Sequence, residues 1–573
     1  MTQLKTLSWL KPAIILLFLA PILGNLYLYP KADEANILLH ARWLYQGALP
    51  FRDYLEFLLP GSAYTAALLY TLFGVSVVIP RLFIAGLQII SLFWLDRIAK
   101  PYLSQPWRAL CLIFLVTCII YNAYIFSHHT LSGVFALWSG LCMVHYLRNQ
   151  QSDKPTQTCL ILSALCNGLV IIHTQTLGVL LGISTLVFMA FQAYYRPNKQ
   201  IHWGKNTGQY ILFAWLIPVL LIVYLIFAGV GGDLWHGCIT WLLEGHYSNT
   251  TVFGYFSTGA LEAAKIRFLQ PPGGFWGEWL VLPLVLHIYC IGFFPVLGVC
   301  LNTALLCVRP ATLVGSFPLP EILYMALNTV ACLVSTLSYS TSFHIAVNSW
   351  LGYLLFFVLL ERLHWGLRHR ASLQKAYTWL CVGLFILLSG HTLWVRYQML
   401  EALLENTENR IPSYGTIEPH FLSTEGSVFD TAVSTVIERL HLLKPNTPVF
   451  IYSASPEIYL LSNTRPACRH TVIYPGLVDR DEEQEIIHRL EAIKPPVVVY
   501  DFKKDHLSQD ARFRHVTGTL AALDAAIKRD YTLVYDSDDL QLFHRKLAQT
   551  GQNEQDPHDN RALPNPRVLG RSL

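Results

Sequence analysis

Residues Pro30 to Tyr64 read PKADEANILLHARWLYQGALPFRDYLEFLLPGSAY, and this stretch decides the fold. Two adjacent carboxylates, Asp33 and Glu34, follow an apolar run. Ile37, Ala41 and Leu44 then recur at three-to-four spacing, and Gly47 supplies a C-terminal stop. The pattern predicts an amphipathic helix lying along an outer membrane surface, with its acidic end at the lipid boundary. After it come Pro50-Phe51-Arg52-Asp53-Tyr54, Glu56 and Pro60-Gly61. Read locally, Asp33 caps the helix, Glu34 complements its dipole, and Arg52 fixes a turn by pairing with a carboxylate. Read chemically, the same loop gathers carboxylates and guanidinium groups at a membrane face.

The sequence on either side is membrane material. Of 573 residues, 53% are apolar and 14% charged, and mean hydropathy is +0.40. Ordinary soluble domains carry about 25% charge, so a cytosolic enzyme, a disordered chain and a fibrous repeat are excluded. Net charge is only +4, which argues against a nucleic-acid partner. A span needs about 20 apolar residues. Candidates are Pro12–Tyr29, Leu82–Leu95, Ala109–Phe126, Leu131–Leu147, Cys159–His173, Thr176–Tyr194, Tyr210–Val230, Trp279–Val299, Ile322–Leu337, Ile345–Leu360 and Tyr377–Val395. The first follows Lys5 and Lys11, lacks a small-residue cleavage site after it, and reads as an uncleaved anchor.

Basic residues orient these spans. Arg97–Arg108, Arg148–Lys154, Arg196–Lys205, Arg309 and Arg362–Lys375 fall on one side, the cytoplasmic one, if Ser62–Ile79 does not cross. Pro60-Gly61 opens that segment and Gly74 and Pro80 close it, so it reads as a re-entrant or interfacial helix. The N-terminus is then inside and the C-terminus outside. Most cysteines, such as Cys111 and Cys332, sit within apolar runs as small core residues rather than a disulfide framework.

Three regions follow. Residues 1–396 form the membrane domain, with the first outer loop at 31–61. Residues 397–546 have ordinary charge and alternate strands (Thr447–Ser453, Pro496–Phe502, Tyr531–Asp536) with helices (Asp481–Ile493, Gly518–Lys528), which predicts an extracytoplasmic α/β domain. Residues 547–573 are polar and rich in Pro, Asn and Arg, and read as a disordered tail.

Asp33-Glu34, the Gly47-x-x-Pro50-Phe51-Arg52-Asp53-Tyr54 turn, Pro60-Gly61-x-x-Tyr64, Leu72-Phe73-Gly74 and Pro80-Arg81-Leu82 together resemble the polytopic GT-C glycosyltransferases. The nearest likeness is to the family of protein O-mannosyltransferases and the lipid A aminoarabinose transferase. The resemblance is specific over Asp33–Leu82 and architectural beyond it. It implies an α-helical polytopic protein of the plasma (inner) membrane with about eleven spans. It also implies transfer of a sugar from a polyprenyl-phosphate donor to an envelope glycan, lipid or protein on the extracytoplasmic face. Asp33 matches the family's acidic residue, the proposed general base or a holder of metal or acceptor, with Glu34 beside it. Two departures stand out. The next outer loop, where many members carry a second acid, reads Ser127-His128-His129-Thr130. The lysine of the aminoarabinose branch is replaced by Leu58-Leu59-Pro60, so that substrate is not implied.

Residue chemistry completes the list. Arg52 and Arg81 suit phosphate, because guanidinium matches its oxygens bidentately; Arg81 equally suits a snorkelling anchor. Lys265 and Arg267 of the long loop reach toward the same phosphate role. Asp53 and Glu56 serve the acceptor or the loop. His128 and His129 bind a metal with Asp33, bind a phosphate when protonated, or are polar residues of a short turn. A divalent metal is thus compatible but not required. His173 and Gln175 suit interhelical hydrogen bonds. No phosphate-cradling glycine loop or nucleotide fingerprint is present, and a lipid-linked donor needs none. The alternative is a transporter or flippase of lipid-linked glycans; against it stand nearly charge-free span centres and no repeat between the halves.

Overall fold

The computed structural model describes residues 26–30, 32–120, 125–149, 157–195, 203–240, 292–304, 319–336, 342–405, 410–418, 420–422, 428–452, 455–473, 478, 480–501, 520–537 and 540–546. The chain divides into two compact units, Met1–Thr407 and Glu408–Leu573. The division falls beyond the expected 396/397 boundary because Ala371–Glu405 is one continuous helix.

The first unit is helical. Among the described residues five helices are long and apolar enough to cross a membrane: Val78–Ala99, His128–Asn149, Gln175–Tyr194, Gly204–Phe227 and Ala371–Trp394. Gln105–Ile119, Gln157–His173, Gly292–Ala304 and Leu319–Ser335 are shorter apolar helices. Each of these nine overlaps one of the expected spans; Gly292–Ala304 overlaps only the end of Trp279–Val299, whose residues 279–291 lie outside the described residues. The remaining two differ. Pro12–Tyr29 lies almost wholly outside the described residues. Ile345–Leu360 is two helices, Ser342–Asn348 and Trp350–Gly366, parted at Ser349. Gly61–Phe73 is a separate helix of 13 residues that ends at Gly74, where φ is +85°. At about 1.5 Å per residue it is too short to span.

Packing follows from side-chain size. His128–Asn149 is central, with nearly every residue from Thr130 to Leu147 buried. Gly133 in it backs onto the Val347 carbonyl so closely that a Cβ has no room. Around it Phe114, Tyr324, Tyr353, Phe357 and Phe385 form the aromatic core. The helix Trp203–Phe227 instead exposes Leu212, Leu220, Ile226 and Phe227. An apolar face of that kind is solvent-incompatible and suits lipid. Its Pro218 cannot donate to the Ala214 carbonyl one turn back, and Gly168 of the neighbouring helix approaches that carbonyl.

The second unit carries a five-stranded mixed sheet. Its strands are β3 (Pro448–Tyr452), β4 (Arg465–Pro466), β5 (Val497–Asp501), β6 (Tyr531–Asp536) and β7 (Leu540–Arg545), in the order β4-β3-β5-β7-β6. β3 runs parallel to β4 and β5, while β7 is antiparallel to β5 and β6. A short antiparallel ribbon, Arg410–Pro412 with His420–Leu422, precedes them as β1 and β2. Phe450, Val498, Ile486, Leu523 and Ile527 pack sheet against helices Arg480–Ile493 and Ala521–Asp530. The sequence marks β3, β5 and β6. It hides β7, LQLFHR, whose alternation is interrupted by charge.

Candidate functional site

The helix Ala32–Tyr45 places Asp33 and Glu34 in its first turn, where the backbone dipole favours negative charge. It is not the surface helix the spacing suggested. Residues 37–43 are all buried, His40 and Arg42 included, because the helix packs against Gly61–Phe73 on the inner side of the loop. Its end is set by Gly47, at φ +92°.

Four carboxylates of this loop meet four different fates. Glu34 is 1% exposed and pairs with Arg81, itself 3% exposed. Arg81 Nε donates to Glu34 Oε1 at 2.8 Å and Nη2 to Oε2 at 2.5 Å. Arg81 Nη1 donates to the carbonyls of Leu26 and Leu28 at 2.8 and 2.7 Å, and the Phe126 amide donates to Glu34 Oε1 at 2.9 Å. All three guanidinium nitrogens are thus engaged, in place of the phosphate contact expected of Arg81. Likewise Glu34 is tied into the scaffold rather than offered to substrate.

Asp53 is taken by the turn. Arg52 donates to both its oxygens at 2.9 and 2.8 Å, and the Leu49 amide donates at 2.7 Å. The hydrogen bond from Arg52 holds the Asp53 carboxyl below the usual carboxylate range. Its contribution to the turn is therefore complete at neutral pH and is lost as pH falls through that lowered value. The turn is tight: Phe51 has φ +67°, and its ring is buried with Leu59, Ile171 and Leu234.

Glu56 accepts from His40 Nδ1 at 3.2 Å and from the Phe57 and Leu58 amides at 3.2 and 3.4 Å. His40 stacks on buried Tyr54 with centroids 4.1 Å apart. Burial pushes the Tyr54 hydroxyl well above its ordinary pKa, so it stays neutral. Asp33 is exposed, as Asp53 is, but unlike the other three carboxylates it has no hydrogen bond among the described residues. Asp33 and Glu56 both lie within electrostatic range of the His128 ring.

His128 and His129 stand at the start of the central helix, their rings 3.9 Å apart, and His129 is 3.9 Å from His344. His173 bonds to Ser62 Oγ at 2.8 Å, and Gln175 grips the loop through Leu59 N and Phe57 O. Among the described residues no three His, Cys, Asp or Glu side chains converge to hold a metal ion. Lys265 and Arg267 lie outside the described residues. His40 and His344 were missed by the sequence reading. His40 had a signal, since it is seven residues from Asp33 and so on the same helical face. His344 had none; only folding brings it to His129.

No known family model and no curated protein matches the chain. Solved structures do. ArnT from Cupriavidus metallidurans bound to undecaprenyl phosphate aligns with a TM-score of 0.54 at 12% identity, covering 96% of this chain and 100% of that one. The archaeal oligosaccharyltransferase AglB from Archaeoglobus fulgidus, in complex with an inhibitory peptide and a dolichol-phosphate, aligns with a TM-score of 0.52 at 11% identity, covering 96% and 76%. Both alignments cover 96% of this chain, and the chain therefore shares the fold of these two proteins, in line with the fold that the loop motifs led us to expect.

Proposed function

We propose that the protein is a membrane glycosyltransferase that moves a sugar from a polyprenyl-phosphate donor to a hydroxyl-bearing acceptor of the cell envelope. The observation that carries this reading is Asp33, an exposed carboxylate with no hydrogen bond among the described residues, on a helix whose neighbouring acid is locked in place. Two solved structures of the same fold hold lipid phosphates, a dolichol-phosphate and undecaprenyl phosphate, which favours a donor of that class.

The chemistry is a displacement at the anomeric carbon. Asp33 takes the proton from the acceptor hydroxyl as its oxygen bonds to that carbon. The bond from the carbon to the phosphate oxygen breaks, and its electron pair leaves with the lipid phosphate. That leaving charge needs donors or cations nearby. Arg81 is occupied, so this duty passes to the histidine group at His128 and to Lys265 and Arg267. The test is transfer of labelled sugar from synthetic polyprenyl-phosphate pentoses and hexoses by the purified wild type. Failure across the whole donor panel overturns the reading.

The reading requires a topology. Arg97–Arg108, Arg148–Lys154 and Arg362–Lys375 are cytoplasmic, whereas the Asp33 loop and the C-terminal unit face outward. In a Cys-light variant, an impermeant maleimide applied from outside should label a cysteine at position 420 and spare one at position 151. The opposite pattern sinks the arrangement. The C-terminal unit serves acceptor choice rather than chemistry, so the isolated unit should transfer no sugar. Transfer by it alone would place the reaction elsewhere.

A further inference from the structure

The loop holds four acids, and their bonding separates them. Glu34 is consumed by Arg81, and Asp53 by Arg52 and the Leu49 amide at 2.7–2.9 Å. Glu56 is different. Its donors are longer, at 3.2–3.4 Å, none of them is a permanent cation, and its side chain keeps 12% exposure. A carboxylate has about four acceptor positions, so three long contacts leave room for another donor. The Gly237 backbone packs against the Glu56 carbonyl so tightly that a Cβ would collide. His40 is wholly buried, stacked on Tyr54 and facing Trp43 at 5.9 Å. Both the backbone and the side chain of Glu56 are therefore held from several directions. An exposed turn needs nothing of that kind, as the solvent-facing Arg52–Asp53 pair shows.

We propose that Glu56, oriented by His40, is a second substrate-binding carboxylate, which accepts a hydrogen bond from a hydroxyl of the acceptor while Asp33 takes the proton of the reacting one. This rests on the glycosyltransferase reading above. Glu56 and Asp33 belong to the same loop, and both act electrostatically on the His128 ring. His40 is a positioning residue: its ring N–H fixes which Glu56 oxygen turns inward. The site then works with two carboxylates from one loop, although no acid stands in the Ser127-His128-His129-Thr130 loop.

The experiment uses the purified full chain, a polyprenyl-phosphate sugar that the wild type accepts, and a methyl glycoside and a Ser/Thr peptide as hydroxyl probes. Glu56→Gln keeps the shape and removes the charge. It should raise KM for the acceptor by about tenfold, the size of one hydrogen bond to a charged group, with donor KM unchanged. Glu56→Asp should recover part of the loss. His40→Phe, which keeps the stacked ring but cannot donate, should shift acceptor KM in the same direction, and His40→Gln should shift it less. Acceptor KM within about twofold of wild type in Glu56→Gln, well short of that one-bond loss, overturns the proposal. So does an equal fall in both substrates' parameters accompanied by a lowered Tm, which marks a structural role. A wild type that transfers no sugar overturns the parent reading and this proposal with it. A transferring wild type with an unimpaired Glu56→Gln overturns this proposal alone.

Discussion

Asp33→Asn should fold normally and turn over on the order of 10²–10⁴ times more slowly than wild type, the usual range for loss of a general base. The substitution keeps the size of the side chain and its capacity to bond backbone amides. Asp33 sits in the first helical turn, and its exposed charge–dipole attraction is worth about 0.3–1 kcal/mol at most. Tm should therefore move little. Donor binding should persist, because the lipid phosphate is held by groups other than this carboxylate. A purely structural Asp33 gives the reverse outcome, with stability responding to Asp33→Ala and activity indifferent to Asp33→Asn. Turnover within about threefold of wild type, far below the general-base range, would leave Asp33 as a dipole residue and turn attention to Glu56 and His129.

Arg81→Met should be the most damaging single change to folding. It strands the Glu34 carboxylate at 1% exposure and removes the donors of the Leu26 and Leu28 carbonyls. Breaking a buried ion pair from one side costs about 3–5 kcal/mol. Glu34→Gln with Arg81→Met removes both charges, and the amide can still accept from Phe126 N. The double variant should recover much of the loss, a coupling that a double-mutant cycle of unfolding in detergent would register. Arg81→Lys should fall between, since one ammonium cannot reproduce a bidentate contact together with two carbonyl bonds. A stably folded Arg81→Met that binds no donor would contradict this and return Arg81 to the phosphate.

The two expectations rest on different kinds of information. Composition and apolar runs were sufficient to indicate a helical membrane protein and to locate the five helices long enough to cross, because lipid requires long apolar stretches with internally satisfied backbones. The second unit was legible through β3 and β5, whose apolar runs are continuous, and through β6, which the sequence marks as a strand although most of it is exposed. The break at Ser349 was not legible, since the run from Ile345 to Leu360 is apolar on both sides of it. The loop's inventory of acids, arginines and histidines was also in the sequence, but not their assignments. Glu34 and Arg81 are 47 residues apart and Glu56 and His40 16 apart, while His344 meets His129 across more than two hundred. A carboxylate's role depends on which donor it faces and how much water reaches it, and both are properties of packing. Sequence alone pointed to the fold and to most of the candidate groups; only the tertiary structure decided that Glu34 pairs with Arg81 and Asp53 with Arg52, that His40 turns to Glu56, and that Asp33 stays exposed.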